Sequence, residues 1–251
     1  MSDDERTVLL RSMSRSAIRA VDGELAGWHP VDLAARVMQE TLERADIEPA
    51  TIDEVVLGCA EPVGAQGADM ARAAVLAAGW PDRVGGTVIE RGETSGLTAV
   101  QLAAAVLRAG DADRVVVVGV SVASLVPPGA AAVNRVYGAP WGDAVTRRLA
   151  EQEGPLPAPR LAERGAVAAG ISRAELDALA ARSLQRRARA GTTAADAIGP
   201  VPAWSRGAAT TSSGRMVTTD VIRTFERLAD LPPAFDADGL LTAATFAPPA
   251  D

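Results

Sequence analysis

No lysine occurs in the 251 residues, so all 25 positive charges are arginine, and 32 acids leave a net charge of −7. That balance argues against a general nucleic-acid binder, which gathers cations against phosphates. Missing lysine beside abundant Ala, Arg and Gly reads as GC-rich coding, and no mechanism follows from it. The chain has one cysteine, Cys59, and one histidine, His29. A single cysteine excludes an internal disulfide framework, and a single histidine argues against a zinc site or a self-contained histidine-based triad. Long apolar runs are also lacking. The strongest, Val115 to Val118 with its neighbours, falls far short of the ~20 residues that span a bilayer, so no membrane segment is expected. The acidic opening MSDDERT has no basic-then-apolar leader pattern, and a cytoplasmic location is expected.

What is present fits a folded protein: 48% hydrophobic and 23% charged residues, with a length suited to one large or two modest domains. Up to residue 125 strand and helix signals alternate, as in an α/β sheet domain. Thr7 to Ser12 reads as a strand. After GWHP, where His29 suits a cap or a surface position, Pro30 to Ala45 reads as a helix with Pro30 in its first turn and Leu33, Val37 and Leu42 recurring. EVVLGCA, residues 54 to 60, suits a buried strand. Ala68 to Ala78 reads as a helix stopped by Gly79 and Pro81. Gly86 to Arg91 is the third strand candidate, and Gly96 to Ala109 a helix with apolar spacing at Leu97, Val100, Leu102, Val106 and Leu107. Arg114 to Val122, with four consecutive valines, predicts a strand covered on both faces. The order is that of a mostly parallel sheet.

From Pro127 the pattern breaks into pieces rich in proline and glycine. The clearest element there is a helix over residues 171 to 190, with Ser172 and Glu175 spaced as a capping box. The loop TTSSG, residues 210 to 214, precedes a second expected helix, Thr219 to Leu231.

Several segments together resemble the thiolase family, the CoA-dependent acyltransferases that make or break β-ketoacyl thioesters. RSAIRAVDGELAGWHPVDLAARV, residues 15 to 37, is similar to the family's opening RTPIG…G.L…DLA pattern. IDEVVLGCA, residues 52 to 60, resembles its second strand, and residues 69 to 120 resemble its central stretch. AERGAVAAGISRAELDALAARSLQRRARA resembles the helix pair of its CoA-contacting loop domain, and DVIRTFERLADLPPAFDADGLLTA, residues 220 to 243, resembles D…R…L..L.P.F…G.VTA. Each match alone is weak; their collinear order over nearly the whole chain carries the resemblance. It implies an α/β thiolase-like N-terminal half: a sheet domain over residues 1 to 123, an inserted helical loop domain over 124 to 235, a return segment over 236 to 251, and no C-terminal domain.

The departures from the family pattern bear on chemistry, because a fold does not establish a reaction. The resemblance places the family's nucleophilic cysteine, in a C-x-S-G turn at a helix start, at Glu93 of Glu93-Thr94-Ser95-Gly96. A carboxylate is at home at a helix N-terminus, where N–H groups would hold it ionised. It does not replace a thiolate, since its attack on a thioester yields a mixed anhydride and thiolate is the better leaving group on return. Cys59 lies in the second strand and reads as a small core residue. Ser95 lacks an evident base and reads as part of the tight helix start with Gly96. The family's GHP-like histidine and second cysteine belong to the missing half. The TAGNxS-like turn reads Thr242-Ala243-Ala244-Thr245-Phe246-Ala247. Ala162, Glu163, Ser172, Arg173, Asp177, Asp220 and Arg223 persist; they suit either a framework or, for Glu163 and Arg223, contact with a nucleotide ligand. No resident cofactor is expected, and a coenzyme A thioester is the ligand the resemblance implies.

Two functional readings stand side by side. In the first, the chain is a non-catalytic structural or regulatory half subunit, a homodimer or a heteromer with a thiolase-type or ketosynthase-type chain or a C-terminal-half protein. In the second, Glu93 is a base or anchor for decarboxylation, aldol-type cleavage or hydrolysis of an acyl thioester. A third possibility is a degenerate or truncated gene product with no retained role.

Overall fold

The computed structural model describes residues 7–133, 138–152, 154, 156–190, 196–204, 215–221 and 224–251. The chain divides into two compact units that do not follow chain order. The first comprises Met1–Val133, Ala195–Val221 and Pro249–Asp251, and the second Asn134–Ala194 and Ile222–Pro248.

The first unit is built on three parallel strands: β1 (Glu54–Gly58), β2 (Gly85–Ile89) and β3 (Val115–Gly119), in the order β2-β1-β3. Helices α1 (Pro30–Ala45), α2 (Met70–Ala77) and α3 (Ser95–Ala109) connect and cover them. Alternate side chains of β1 point to opposite faces. Val55 and Leu57 join α1 and α2 residues such as Met38, Leu42, Met70 and Val75 in one cluster, with Val116, Val118 and Cys59. Val56 turns the other way, onto Ala99 and Ala103 of α3 beside Val115 and Val117. Both faces of the valine strand are therefore covered, Val116 and Val118 fully and Val115 and Val117 in part, and full burial of such a side chain stabilises by roughly 1.5–3 kcal/mol.

The helix ends follow local chemistry. His29, exposed, caps α1 by accepting the Val31 N–H at Nδ1 (3.3 Å). Asp69 caps α2 by accepting the Arg72 N–H (3.0 Å). Gly110, at φ 81°, ends α3 in the left-handed conformation that suits glycine.

Three expectations are corrected. Thr7 to Ser12 forms no strand: among the described residues its stretch of chain first makes a ladder contact at the isolated parallel bridge from Arg15 to Ile198. On α3 the residues turned to the sheet are Ser95, Ala99 and Ala103, one helical turn apart, while Leu97 and Val100 are 64% and 52% exposed. Small side chains let the helix axis approach the sheet closely, which places the bulky ones outside. The helix expected over Thr219 to Leu231 is not formed among its described residues; only the 3-10 turn Leu228–Asp230 appears. The Asp220 carboxylate is held by the fork of Arg15 (2.7 and 2.8 Å) and by the Ile18 N–H (2.9 Å), and the Val221 N–H donates to Ile18 O. Those contacts tie the segment's start to the first unit, and its backbone does not turn into a helix.

Beyond β3, the first unit adds the short helix α4 (Ala130–Val133) and the antiparallel pair β4 (Val201–Pro202) and β5 (Met216–Val217). The second unit holds α5 (Asp143–Arg148), α6 (Ala158–Ala168) and α7 (Arg173–Ala190). The capping box at the head of α7 is formed: Glu175 accepts the Ser172 N–H (2.8 Å), and Ser172 Oγ accepts the Glu175 N–H (3.3 Å). The TTSSG loop lies outside the described residues. No helix is long and apolar enough to cross a membrane among the described residues.

Candidate functional site

Glu93, Thr94, Ser95 and Gly96 form the turn into α3, directly beyond the C-terminal end of β1. Gly58 makes this meeting possible. A Cβ there would lie 2.6 Å from Gly96 N and from the Ser95 carbonyl carbon, too close for any side chain. The helix start thus seats directly on the strand end.

Ser95 is buried, and its hydroxyl closes the turn. Oγ accepts the Arg91 N–H (2.9 Å) and lies within donating distance of Gly92 O and of Cys59 O (3.2 Å). A hydroxyl has one proton, and here it faces backbone carbonyls rather than a base. Thr94 Oγ1 donates to Arg91 O (2.9 Å), and Glu90 accepts the Gly92 N–H (2.8 Å). Glu93 itself is exposed, and its carboxylate has no hydrogen-bond or ion-pair partner among the described residues. The expected holding of Glu93 by helix N–H groups is therefore not formed. The N–H groups of Gly96 and Leu97, orphaned by the helix start as in any α-helix, also have no acceptor among the described residues.

Cys59, one residue past β1, is 1% exposed. Burial pushes its thiol up from its ordinary value, so it stays protonated. Its Sγ accepts from Gln66 Nε2 (3.5 Å). Gln66, fully buried, is a residue that sequence reasoning missed: Nε2 also donates to Glu61 O (2.9 Å), and Oε1 accepts the Val122 N–H (2.8 Å). It joins the loop after β1 to the chain after β3. A single glutamine within a glycine-rich loop gives no signal of this. Glu61 accepts the Gly129 N–H (2.7 Å) and the Ala131 N–H (3.3 Å), fixing the head of α4.

In the second unit, Glu163 on α6 is 7% exposed and accepts the N–H groups of Leu240 and Leu241, the latter at 3.1 Å. Arg173 on α7 pairs with Asp177 (3.0 Å) and donates to Leu228 O and Leu231 O (3.0 and 2.9 Å). Leu241 and Thr242, both buried, are held by the Ala234 N–H donating to Leu241 O (2.8 Å) and by the Thr242 N–H donating to Thr245 Oγ1 (2.8 Å). Arg160 contacts the Asp236 carboxylate and the Phe235 ring. Glu163, Arg173 and Asp177 thus have internal partners here, as Asp220 has in the first unit. Arg223 lies outside the described residues. Among the described residues no group of three or more His, Cys, Asp or Glu could hold a metal ion.

The family profile "Thiolase, N-terminal domain" matches residues 8–251. The chain is 35% identical over 240 residues to a beta-ketoadipyl-CoA thiolase of Escherichia coli, covering 91% of this chain and 60% of that one. It is 33% identical over 251 residues to an acetyl-CoA acetyltransferase of Pseudomonas aeruginosa, covering 94% and 61%. Among solved structures, the Bacillus anthracis acetyl-CoA acetyltransferase superposes with a TM-score of 0.79 at 31% identity, covering 97% of this chain and 62% of that one. The chain spans about three fifths of the length of these relatives.

Proposed function

We propose, for a chain that belongs to the thiolase family, that it works as a part-subunit without covalent catalysis of its own. It completes a thiolase-type or ketosynthase-type assembly that handles acyl-CoA. The observation that carries this reading is the start of α3. Where the family resemblance puts a nucleophilic cysteine, the side chain is Glu93, exposed and unpartnered among the described residues. Ser95 has its hydroxyl facing backbone carbonyls. Cys59 is buried as a thiol. A thioester meets no activated nucleophile among these three groups.

The surface of the first unit supports an assembled state. Leu97 and Val100 on α3, and Leu9, Leu10 and Met13 in the opening segment, are each more than half exposed. An assembled state would cover such outward apolar side chains if they form one patch. The native mass of the purified chain, alone and with candidate thiolase-type partners, tests the reading. A heteromer or a homodimer is expected, with β-ketoacyl-CoA thiolysis absent from the chain alone. A stable monomer that takes up no partner would refute it.

A second reading is favoured by the helix start itself: the free N–H groups of Gly96 and Leu97 stand beside an exposed carboxylate. There, Glu93 would act as general base or anchor on a bound acyl thioester, with the N–H groups receiving the thioester oxygen. Glu93→Gln abolishes turnover in that case and leaves any activity of the assembly untouched in the first.

A further inference from the structure

The second unit carries a block of one sign in an acidic chain. Between Asp177 and Asp196 no Asp or Glu occurs and four arginines do, although the chain as a whole has net charge −7. All four fall on α7. Its inner side is held by Arg173, which pairs with Asp177 and bonds Leu228 O and Leu231 O, and by Ala180, which is buried. Its outer side carries Leu179, 55% exposed, and the exposed Arg182, Arg186 and Arg189. At 3.6 residues per turn these three arginines lie within about 60° of one another around the helix and span about 10 Å along it. They form one straight stripe.

That stripe has no counter-charge among the described residues. Arg182, Arg186 and Arg189 make no hydrogen bond or ion pair there, whereas several arginines elsewhere are matched: Arg15 with Asp220, Arg36 and Arg44 with Glu40, Arg160 with Asp236. Like charges three and four residues apart on a helix repel one another. The negative end of the helix dipole amounts to about half a charge and falls off within the last turn, so it accounts for one cation, and Arg187, on the half-buried side, is there to meet it. The outer guanidiniums therefore cost the isolated chain stability without an internal gain.

We infer that the outer face of α7 docks a partner protein through an acidic helix. A row of guanidiniums on a convex helix face fits carboxylates repeated every three or four residues on a second helix laid alongside, in charge-assisted pairs, with Leu179 meeting an apolar side chain at one end. A small anion fits less well, because small-molecule sites are concave with convergent polar groups, and these side chains stand in a line on a convex surface. A nucleic acid or an anionic membrane extends far beyond the stripe, and the acidic excess of the rest of the chain opposes it. A helix of matching length touches the stripe alone. The inference goes beyond the part-subunit reading, which rests on the first unit, and either can fail without the other.

The probe is a fluorescent peptide of about 18 residues, long enough to hold a helix in water, alanine-based with glutamates along one face and a leucine at the end of the row. Binding to the intact chain is read by anisotropy at low salt, and NMR shifts locate it. Shifts centred on α7 from Leu179 to Arg189 are expected. The affinity is at least about fivefold above that of a peptide of equal composition whose glutamates are spread around the helix, and binding is lost on raising the salt to about 0.5 M. Arg182→Gln, Arg186→Gln and Arg189→Gln together weaken binding by about tenfold or more, while Arg147→Gln with Arg148→Gln, exposed on α5, leaves it within about twofold. The triple variant melts at or above the wild-type temperature, since it loses only repulsion. A lower melting temperature, equal affinity for the two peptides, or shifts centred elsewhere overturns the inference. Tighter binding of ADP, of single-stranded DNA or of phosphatidylglycerol vesicles also overturns it and assigns the stripe to phosphates.

Discussion

Replacing Gly58 by alanine tests how the candidate site is positioned. The new methyl would lie 2.6 Å from Gly96 N and the Ser95 carbonyl carbon, and 2.7 Å from Gly96 Cα. An ordinary contact needs ~3.5 Å, so the helix start has to withdraw by about 0.9 Å or the strand end has to bend. Neither is cheap. The obstructing atoms are backbone, and Ser95 Oγ bonds the Arg91 N–H while facing the carbonyls of Gly92 and Cys59. Overpacking of a tight core costs about 1–3 kcal/mol, and a clash with backbone on both partners belongs at the upper end, ~3 kcal/mol. For a chain of this size that corresponds to a fall in melting temperature of roughly 6–12 °C. The assay is thermal unfolding followed by circular dichroism, with Gly85→Ala as the control. Nothing lies within 4 Å of a Cβ at Gly85, and that variant is expected to melt with the wild type. A Gly58→Ala protein as stable as Gly85→Ala would refute the seating of α3 on β1.

Three further predictions follow from the same contacts. Glu163→Gln keeps the shape of the side chain but leaves one of the Leu240 and Leu241 N–H groups without an acceptor; a loss of about 2 kcal/mol is expected, read as faster proteolysis within the second unit, and an unchanged cleavage rate would remove its framework role. The Cys59 thiol, raised by burial, should react with a disulfide reagent at neutral pH only after denaturant is added, so stoichiometric labelling of the folded chain within minutes would contradict its placement. Asp53 accepts the N–H groups of Asp113 and Arg114 (2.9 Å each), which hold its carboxyl below the ordinary range. A depressed folded-state value contributes stability above the unfolded value of ~3.9 that is lost as pH falls through the folded one. Asp53→Asn should therefore be less stable than the wild type at neutral pH, with the gap closing below about pH 4; a constant gap through the acid range would count against the assignment.

Much of the first unit was legible because its signals are local. Pro30, Gly79, Gly110 and the apolar runs at 54 and 115 mark element ends and buried strands through backbone preference and solvation alone. The Ser172–Glu175 box closes within one helical turn and was readable for the same reason. The failures share a cause of the opposite kind. Thr7 to Ser12 has strand composition, but a strand exists only beside a partner. Residues 219 to 231 have helical spacing, yet Asp220 bonds Arg15 and Ile18, far away in sequence. Gln66 carried no sign of its fully buried bridging position, which depends on the meeting of two separate loops.

By itself the sequence determined the α/β order of the sheet unit, the family to which the chain belongs, and the identity of the residue at position 93, because periodicity, capping chemistry and residue type are properties of short stretches of chain. Tertiary structure alone decided that α3 presents alanines to the sheet and leucine and valine outward, that Ser95 is locked into a turn, and that Gln66 bridges two separate loops from a buried position. Those outcomes depend on which surfaces, distant along the chain, come within a few ångströms of one another, and no local preference encodes that distance.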